Sequence, residues 1–252
     1  MLEIKPGGGD TGKPLNARKR LALMHKHMDL RHKRMLDCGC GTGQFVLALL
    51  DDGVNIYGIE FEEPKVEQFK RDNPDEAHRV TVGDVQNLAF EDNSFDAVLS
   101  NEVLEHVPDD ARGLREIFRI LRPGGHLFVF SPNRFYPFEA HGVFIGNSDK
   151  KVPFYTPFIP YVPMTLGSKV WRYWARNYWP WELRGLVSDA GFEIAHTDYV
   201  WQTFENITGK QPRLLSRMKP LLRKVSVVGE RVPGLQAIGG VSQFIVAVKP
   251  SV

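Results

Sequence analysis

Three sets of side chains in this sequence have the types and spacing to do chemistry. The first is Met35-Leu36-Asp37-Cys38-Gly39-Cys40-Gly41-Thr42-Gly43, an apolar run that breaks into glycines spaced G-x-G-x-G. Glycines there bring backbone N–H groups close to a ligand with no Cβ in the way. A dinucleotide fingerprint would be G-x-G-x-x-G, and Gln44 occupies its third glycine position, which disfavours a pyrophosphate ligand. The second set is two acids at the ends of apolar runs, Glu60 after Asn55-Ile56-Tyr57-Gly58-Ile59 and Asp84 within Gly83-Asp84-Val85. Acids so placed suit the paired hydroxyls of a ribose and the amino group of an adenine. The third is Glu102-Val103-Leu104-Glu105-His106, whose acids and histidine stand at i, i+3 and i+4 and would share one face of a helical turn. An imidazole that titrates near neutrality can take a proton from an acceptor hydroxyl, so His106, and His141 further on, are the candidate catalytic residues.

Those residues need a scaffold that delivers them to one place. Strands are predicted over residues 35–37, 55–59, 80–82, 97–99 and 126–130, and helices over 44–50, 63–71 and 109–121. In the last helix Leu114, Ile117, Phe118 and Leu121 recur at helical spacing, and Arg122-Pro123-Gly124-Gly125 stops it. A basic helix over 15–32 comes first, with Leu21, Leu23, Met24 and Met28 as its apolar side. A helix over 181–190 and strands over 192–199 and 243–248 close the chain. Alternating strands and helices imply right-handed crossovers and a parallel sheet covered on both faces. The expected fold class is α/β, a three-layer sandwich with a mostly parallel seven-stranded sheet and inserts after its fifth and sixth strands.

At 252 residues, 42% apolar and 25% charged, the chain suits one domain over 15–252 behind a flexible Gly- and Pro-rich tail over 1–14. A net charge of +2 offers no concentrated basic surface for nucleic acid. Cys38 and Cys40 are too close for an ordinary disulfide and lack CxxC spacing. They fit buried reduced thiols and a cytoplasmic compartment. No apolar stretch is long enough to span a bilayer, and the first residues lack the apolar core of a signal peptide, so the Asn206-Ile207-Thr208 sequon carries no weight. The run from Gly7 to Lys13 has the frame of a phosphate loop, but Pro14 stands where the magnesium-holding Ser or Thr belongs.

Together the glycine loop, Glu60, Asp84 and Phe95-Asp96-Ala97-Val98-Leu99-Ser100-Asn101 resemble the class I S-adenosylmethionine-dependent methyltransferase superfamily, especially its small-molecule branch. The resemblance covers about residues 33–133, with a weaker echo at Asp189-Ala190-Gly191-Phe192 and the last strand. It implies S-adenosyl-L-methionine as cofactor and S-adenosyl-L-homocysteine as its product. Asp37, Gly39, Cys40, Gly41 and Gly43 would line the methionine moiety, Glu60 the ribose, and Asp84 and Val85 the adenine. Phe61 would wall the adenine, and Asn101 would stand at the methionine end. The Glu102, Glu105, His106 pattern is similar to metal-assisted methyltransferases acting on a small-RNA ribose or in ubiquinone synthesis. That likeness would add a divalent metal, with His141 as a further ligand. The alternatives are a nicotinamide oxidoreductase and a cofactor-binding subunit without catalysis.

The inserts bear on the acceptor. Residues 134–180 are aromatic and Pro-rich, and four of the five tryptophans fall between Trp171 and Trp181. Such a stretch is expected to form a lid for a small-molecule, glycan or lipid-linked acceptor, or, through Trp171, Trp174 and Tyr178 at helical spacing, a small second core. Residues 209–229 form a basic amphipathic segment suited to peripheral membrane contact, to covering the domain or to meeting a dimer partner, with Pro220 expected to kink or split it.

Overall fold

The computed structural model describes residues 15–139, 141–153, 156–203, 213–232 and 234–251. The expected tail over 1–14, the phosphate-loop frame, the sequon, Phe154, Tyr155 and residues 209–212 lie outside the described residues. In chain order the elements are α1 (Leu15–His27), β1 (Arg34–Cys38), α2 (Gln44–Asp51), β2 (Asn55–Glu60), α3 (Glu63–Asp72), β3 (Val80–Val82), β4 (Phe95–Asn101), α4 (Asp110–Ile120) and β5 (Leu121–Pro132). Then come β6 (Val143–Ile145), α5 (Met164–Gly167), β7 (Trp171–Tyr173), α6 (Pro180–Asp189), β8 (Glu193–Trp201), α7 (Arg213–Gly229), α8 (Leu235–Gly239) and β9 (Gly240–Val248).

Seven strands make one sheet in the order β3-β2-β1-β4-β5-β9-β8. The first five run parallel, and β9 is antiparallel to both of its neighbours. Side chains alternate between the two faces of each strand, so β5 feeds two cores. Phe128 and Phe130 pack with Met24 of α1, Leu49 of α2 and Phe69 of α3. Leu127 and Val129 pack on the opposite face with Leu114 and Ile117 of α4 and Leu183 and Val187 of α6. The result is the expected three-layer α/β sandwich. The chain's winding direction reverses between β1 and β4, and a crevice opens beyond the carboxyl ends of strands at such a point.

Three local expectations are corrected. β5 starts at Leu121 rather than 126, because Leu121 pairs with Phe95 before a bulge, and the ladder resumes at Ala97 and His126. Trp171 and Trp174 do not share a helix with Tyr178: Trp171–Tyr173 is strand β7, paired antiparallel with β6. α7 runs on through Pro220 instead of splitting there. Pro220 is exposed, so water can take the carbonyl that its missing N–H leaves unbonded. No helix among the described residues is long and apolar enough to cross a membrane.

Candidate cofactor and acceptor site

Beyond Cys38 the chain leaves the sheet through Gly39, Gly41 and Gly43, at φ 71°, 57° and 80°. A Cβ on Gly39 would lie 2.6 Å from Val103 Cγ2, and one on Gly43 would overlap the Phe69 ring. Gly41 is different. A Cβ there would meet nothing within 4 Å, and Gly41 lines a cavity, so the absent side chain leaves room for a ligand rather than for a neighbour. The loop is pinned to β2, with the Cys40 N–H donating to the Ile59 carbonyl at 2.9 Å and the Gly41 N–H to Glu60 Oε2 at 2.8 Å. α2 begins at once, with Gly43 as its cap residue and no side-chain cap, so its first N–H groups face the crevice end of the helix.

The cavity encloses about 620 Å³. Following the sheet order, its wall passes from Asp84 and Val85 after β3, to Glu60 and Phe61 after β2, to Gly39 and Gly41 after β1, and to Glu102 and His106 after β4. Trp174 from the aromatic insert completes it. Phe61 is 74% exposed, an apolar ring face open to whatever enters. The second oxygen of Glu60 accepts from the Glu62 N–H at 3.0 Å. Asp84 Oδ1 accepts from the backbone N–H of Gln86 at 2.8 Å and from its side-chain amide at 3.1 Å.

Asp37, Cys40, Gly43 and Asn101 do not line the cavity but stand behind it. Asp37 is fully buried, and neither carboxylate oxygen has a hydrogen-bond partner among the described residues. Burial first, and then the charge of Glu60, push its carboxyl well above the ordinary range. Cys38 and Cys40 are free, buried thiols, and burial raises both far enough to remove any thiolate at neutral pH.

A second cluster is built on the end of β4. Glu102 sits in the left-handed region at φ 56°, and the turn that follows, Leu104–His106, is 3-10, so Glu102, Glu105 and His106 do not share one α-helical face. Glu102 turns toward α1, where the buried Arg20 guanidinium donates to Glu102 Oε1 at 2.7 Å, to Ser242 Oγ at 2.9 Å and to the Asn101 side chain. Asn101 therefore meets Arg20 rather than the cavity. Glu105 accepts from Ser131 Oγ at 3.1 Å. The two acids meet again at His141, whose Nε2 is 3.5 Å from Glu102 and 3.6 Å from Glu105. Burial works to raise the Glu102 carboxyl, but Arg20, His141 and the Ser242 hydroxyl outweigh it and hold Glu102 below its ordinary value. Burial and the Glu102 charge push Glu105 well above.

Residues 36–129, which carry the glycine loop, both strand-end acids and the β4 cluster, match the family model described as a methyltransferase domain. Over these residues the chain resembles the class I S-adenosylmethionine-dependent methyltransferases, and its fold is theirs. It is 42% identical over 110 residues to a demethylmenaquinone methyltransferase of Beutenbergia cavernae, covering 43% of this chain and 45% of that one. It is 31% identical over 119 residues to a ubiquinone biosynthesis O-methyltransferase of Coxiella burnetii, covering 46% of this chain and 50% of the relative. The chain thus spans about half the length of these curated relatives. Among solved structures, an S-adenosylmethionine-dependent methyltransferase from Mesorhizobium loti overlays with a TM-score of 0.61 at 19% identity, covering 91% of this chain and 96% of that one.

The residues present fit the superfamily's cofactor. Gly41 leaves open space in the cavity where a Cβ would stand, the Glu60 and Asp84 carboxylates share its wall, and the exposed Phe61 ring offers an apolar face to a base. Sequence reasoning missed Arg20, Lys65 and Gln86. Lys65 and Gln86 line the cavity, and Arg20 holds the end of β4. A signal for Arg20 exists: Ala17, Arg20, Leu21 and Met24 are the buried positions of α1, so a charge interrupts an otherwise apolar stripe.

Proposed function

We propose that this protein transfers the methyl group of S-adenosylmethionine to a hydroxyl oxygen of a small or lipid-linked acceptor of the quinone-precursor class. The observation that carries this is a single cavity in which Gly41, Glu60 and Asp84 share a wall with His106 and Trp174. The names of the two curated relatives support the acceptor class. When bound, the cofactor supplies an electrophilic methyl carbon next to a sulfonium that loses its charge on transfer. The chain's own part is largely positioning. Glu60 and Asp84 take the sugar hydroxyls and the base amino group, Phe61 lies against the base, and Gly41 leaves room for the methionine tail. His106 Nδ1 is 3.3 Å from the Trp174 carbonyl, which can only accept, so the proton stands on Nδ1 and Nε2 keeps its lone pair. Burial and the charge of His141 hold this imidazole below its ordinary value, leaving it neutral and able to take the hydroxyl proton.

The test is methyl transfer from labelled cofactor to a dihydroxyaryl acceptor with an isoprenoid tail. His106→Gln should lower kcat by about a hundredfold or more with S-adenosylhomocysteine affinity unchanged. An unchanged kcat, or a wild-type protein that binds the product cofactor yet methylates no hydroxyaryl compound, would refute the proposal.

One observation favours a metal-assisted variant of this chemistry. Glu105, His106 and His141 each offer a ligand atom, all within 4.8 Å of one another. This set suits a magnesium- or zinc-class ion, and Glu105 would have to release its proton to ligate one. Full activity after exhaustive chelation would leave His106 as the base; activity lost to chelator and restored by a divalent cation would favour the ion.

A further inference from the structure

α7 packs against Trp201 and Gln202, which precede it. Leu222, Ser226 and Gly229 are its more buried positions. The Ser226 hydroxyl donates to the Gln202 carbonyl at 2.9 Å, and Gly229 closes on the Trp201 ring. On a neighbouring face Met218, Leu221, Val225 and Val228 recur at i, i+3, i+7 and i+10, with Leu221, Val225 and Val228 exposed by 57%, 55% and 62%. Exposed Leu235 and Ile238 of α8 extend the apolar surface. Arg217 and Lys224, exposed and seven residues apart on α7, flank this stripe, and exposed Arg231 follows just past the helix end. No acid occurs between Asn206 and Gly229, and the acid that follows, Glu230, is engaged by Lys19 of α1 and by the Trp201 N–H.

We propose that this face docks on an anionic lipid bilayer, with the apolar stripe in the acyl boundary and the basic row at the headgroups. The charge pattern selects that occupant. A two-fold contact with a second copy would bring two basic rows and no acid of α7 into one low-dielectric interface, where like charges cost most. Anionic headgroups would neutralise the same row, and an apolar stripe of four residues at helical spacing is what an interfacial helix buries. α7 lies on the membrane in this scheme and does not cross it. The docked face is joined to the site by one turn of α1, since Lys19 pairs with Glu230 and the adjacent Arg20 holds Glu102. The docking itself does not depend on methyl transfer.

Sedimentation of the full chain with vesicles tests it, using phosphatidylcholine alone and phosphatidylcholine mixed with phosphatidylglycerol. The chain should bind the phosphatidylglycerol vesicles, release them as salt rises and leave the neutral ones free. Leu221→Glu with Val225→Glu should cut the bound fraction at least about tenfold, while S-adenosylhomocysteine affinity stays at the wild-type value. Arg217→Gln with Lys224→Gln, which leaves the apolar face intact, should weaken binding and flatten its salt dependence. Four results would overturn the proposal: no binding to phosphatidylglycerol at low salt, equal binding to neutral vesicles, variants that bind as wild type, or a concentration-dependent dimer that the Leu221→Glu and Val225→Glu pair abolishes. Failure here with product-cofactor binding intact would count against the docking face and leave the methyl-transfer proposal standing.

Discussion

At the scale of single residues, Asp37 is a buried acid whose carboxylate has no hydrogen-bond partner among the described residues. Its folded carboxyl is held above the ordinary value by burial and by Glu60. Between those two values the unfolded chain has released a proton that the folded chain retains, so stability falls as pH rises across that window. Asp37→Asn should therefore raise the melting temperature of the ligand-free protein, with a small gain near pH 4 that grows toward neutral pH. Because Asp37 stands behind the cavity wall, the same change should leave S-adenosylhomocysteine binding near the wild-type value. Thermal scans at several pH values, with and without the ligand, measure both; a gain that does not grow with pH would contradict the account. His106 gives a second titration. Its neutral imidazole is needed whether it takes a proton or holds an ion, and its depressed value means that methyl transfer should persist below pH 6.5, the ordinary histidine value, before it declines. A pH–rate profile whose acid limb lies above that value would count against the role.

At the scale of elements, the glycine loop separates packing from binding. Gly43→Ala forces a Cβ onto the Phe69 ring and should cost about 1–3 kcal/mol of folding stability. Gly41→Ala meets no neighbour, so it should cost only the left-handed backbone penalty of roughly 1–2 kcal/mol while sharply reducing cofactor affinity. Denaturant unfolding and ligand titration of the two variants side by side would show whether the effects divide in that way. This loop was legible in the sequence because its information is local: a strand, three glycines and a helix start lie within ten residues. The five parallel strands were legible for the same reason. What local pattern could not convey was which distant side chains would meet. Asn101 has the right position for the cofactor's methionine end, yet Arg20, 81 residues earlier, takes its side chain. Trp171 and Trp174 keep helical spacing, but β6 captures Trp171 into a strand pair across 26 residues. Pro220 is a helix breaker by its own chemistry, and exposure alone made it tolerable.

At the scale of the whole molecule, the strand order does the assembling. Because the winding reverses between β1 and β4, four successive strand ends deliver Asp84, Glu60, the glycine loop and Glu102 to one crevice, although these lie far apart in the chain. The central claim is that this crevice seats an adenosyl group with Glu60 on its sugar. Titration calorimetry of S-adenosylhomocysteine into the wild-type protein and into Glu60→Ala, with NAD as the control ligand, tests it most directly. Saturable binding by the wild type, a loss of about 2–3 kcal/mol in Glu60→Ala, and no heat from NAD are expected. Equal affinity in the two proteins, or NAD binding in place of the homocysteine compound, would contradict it.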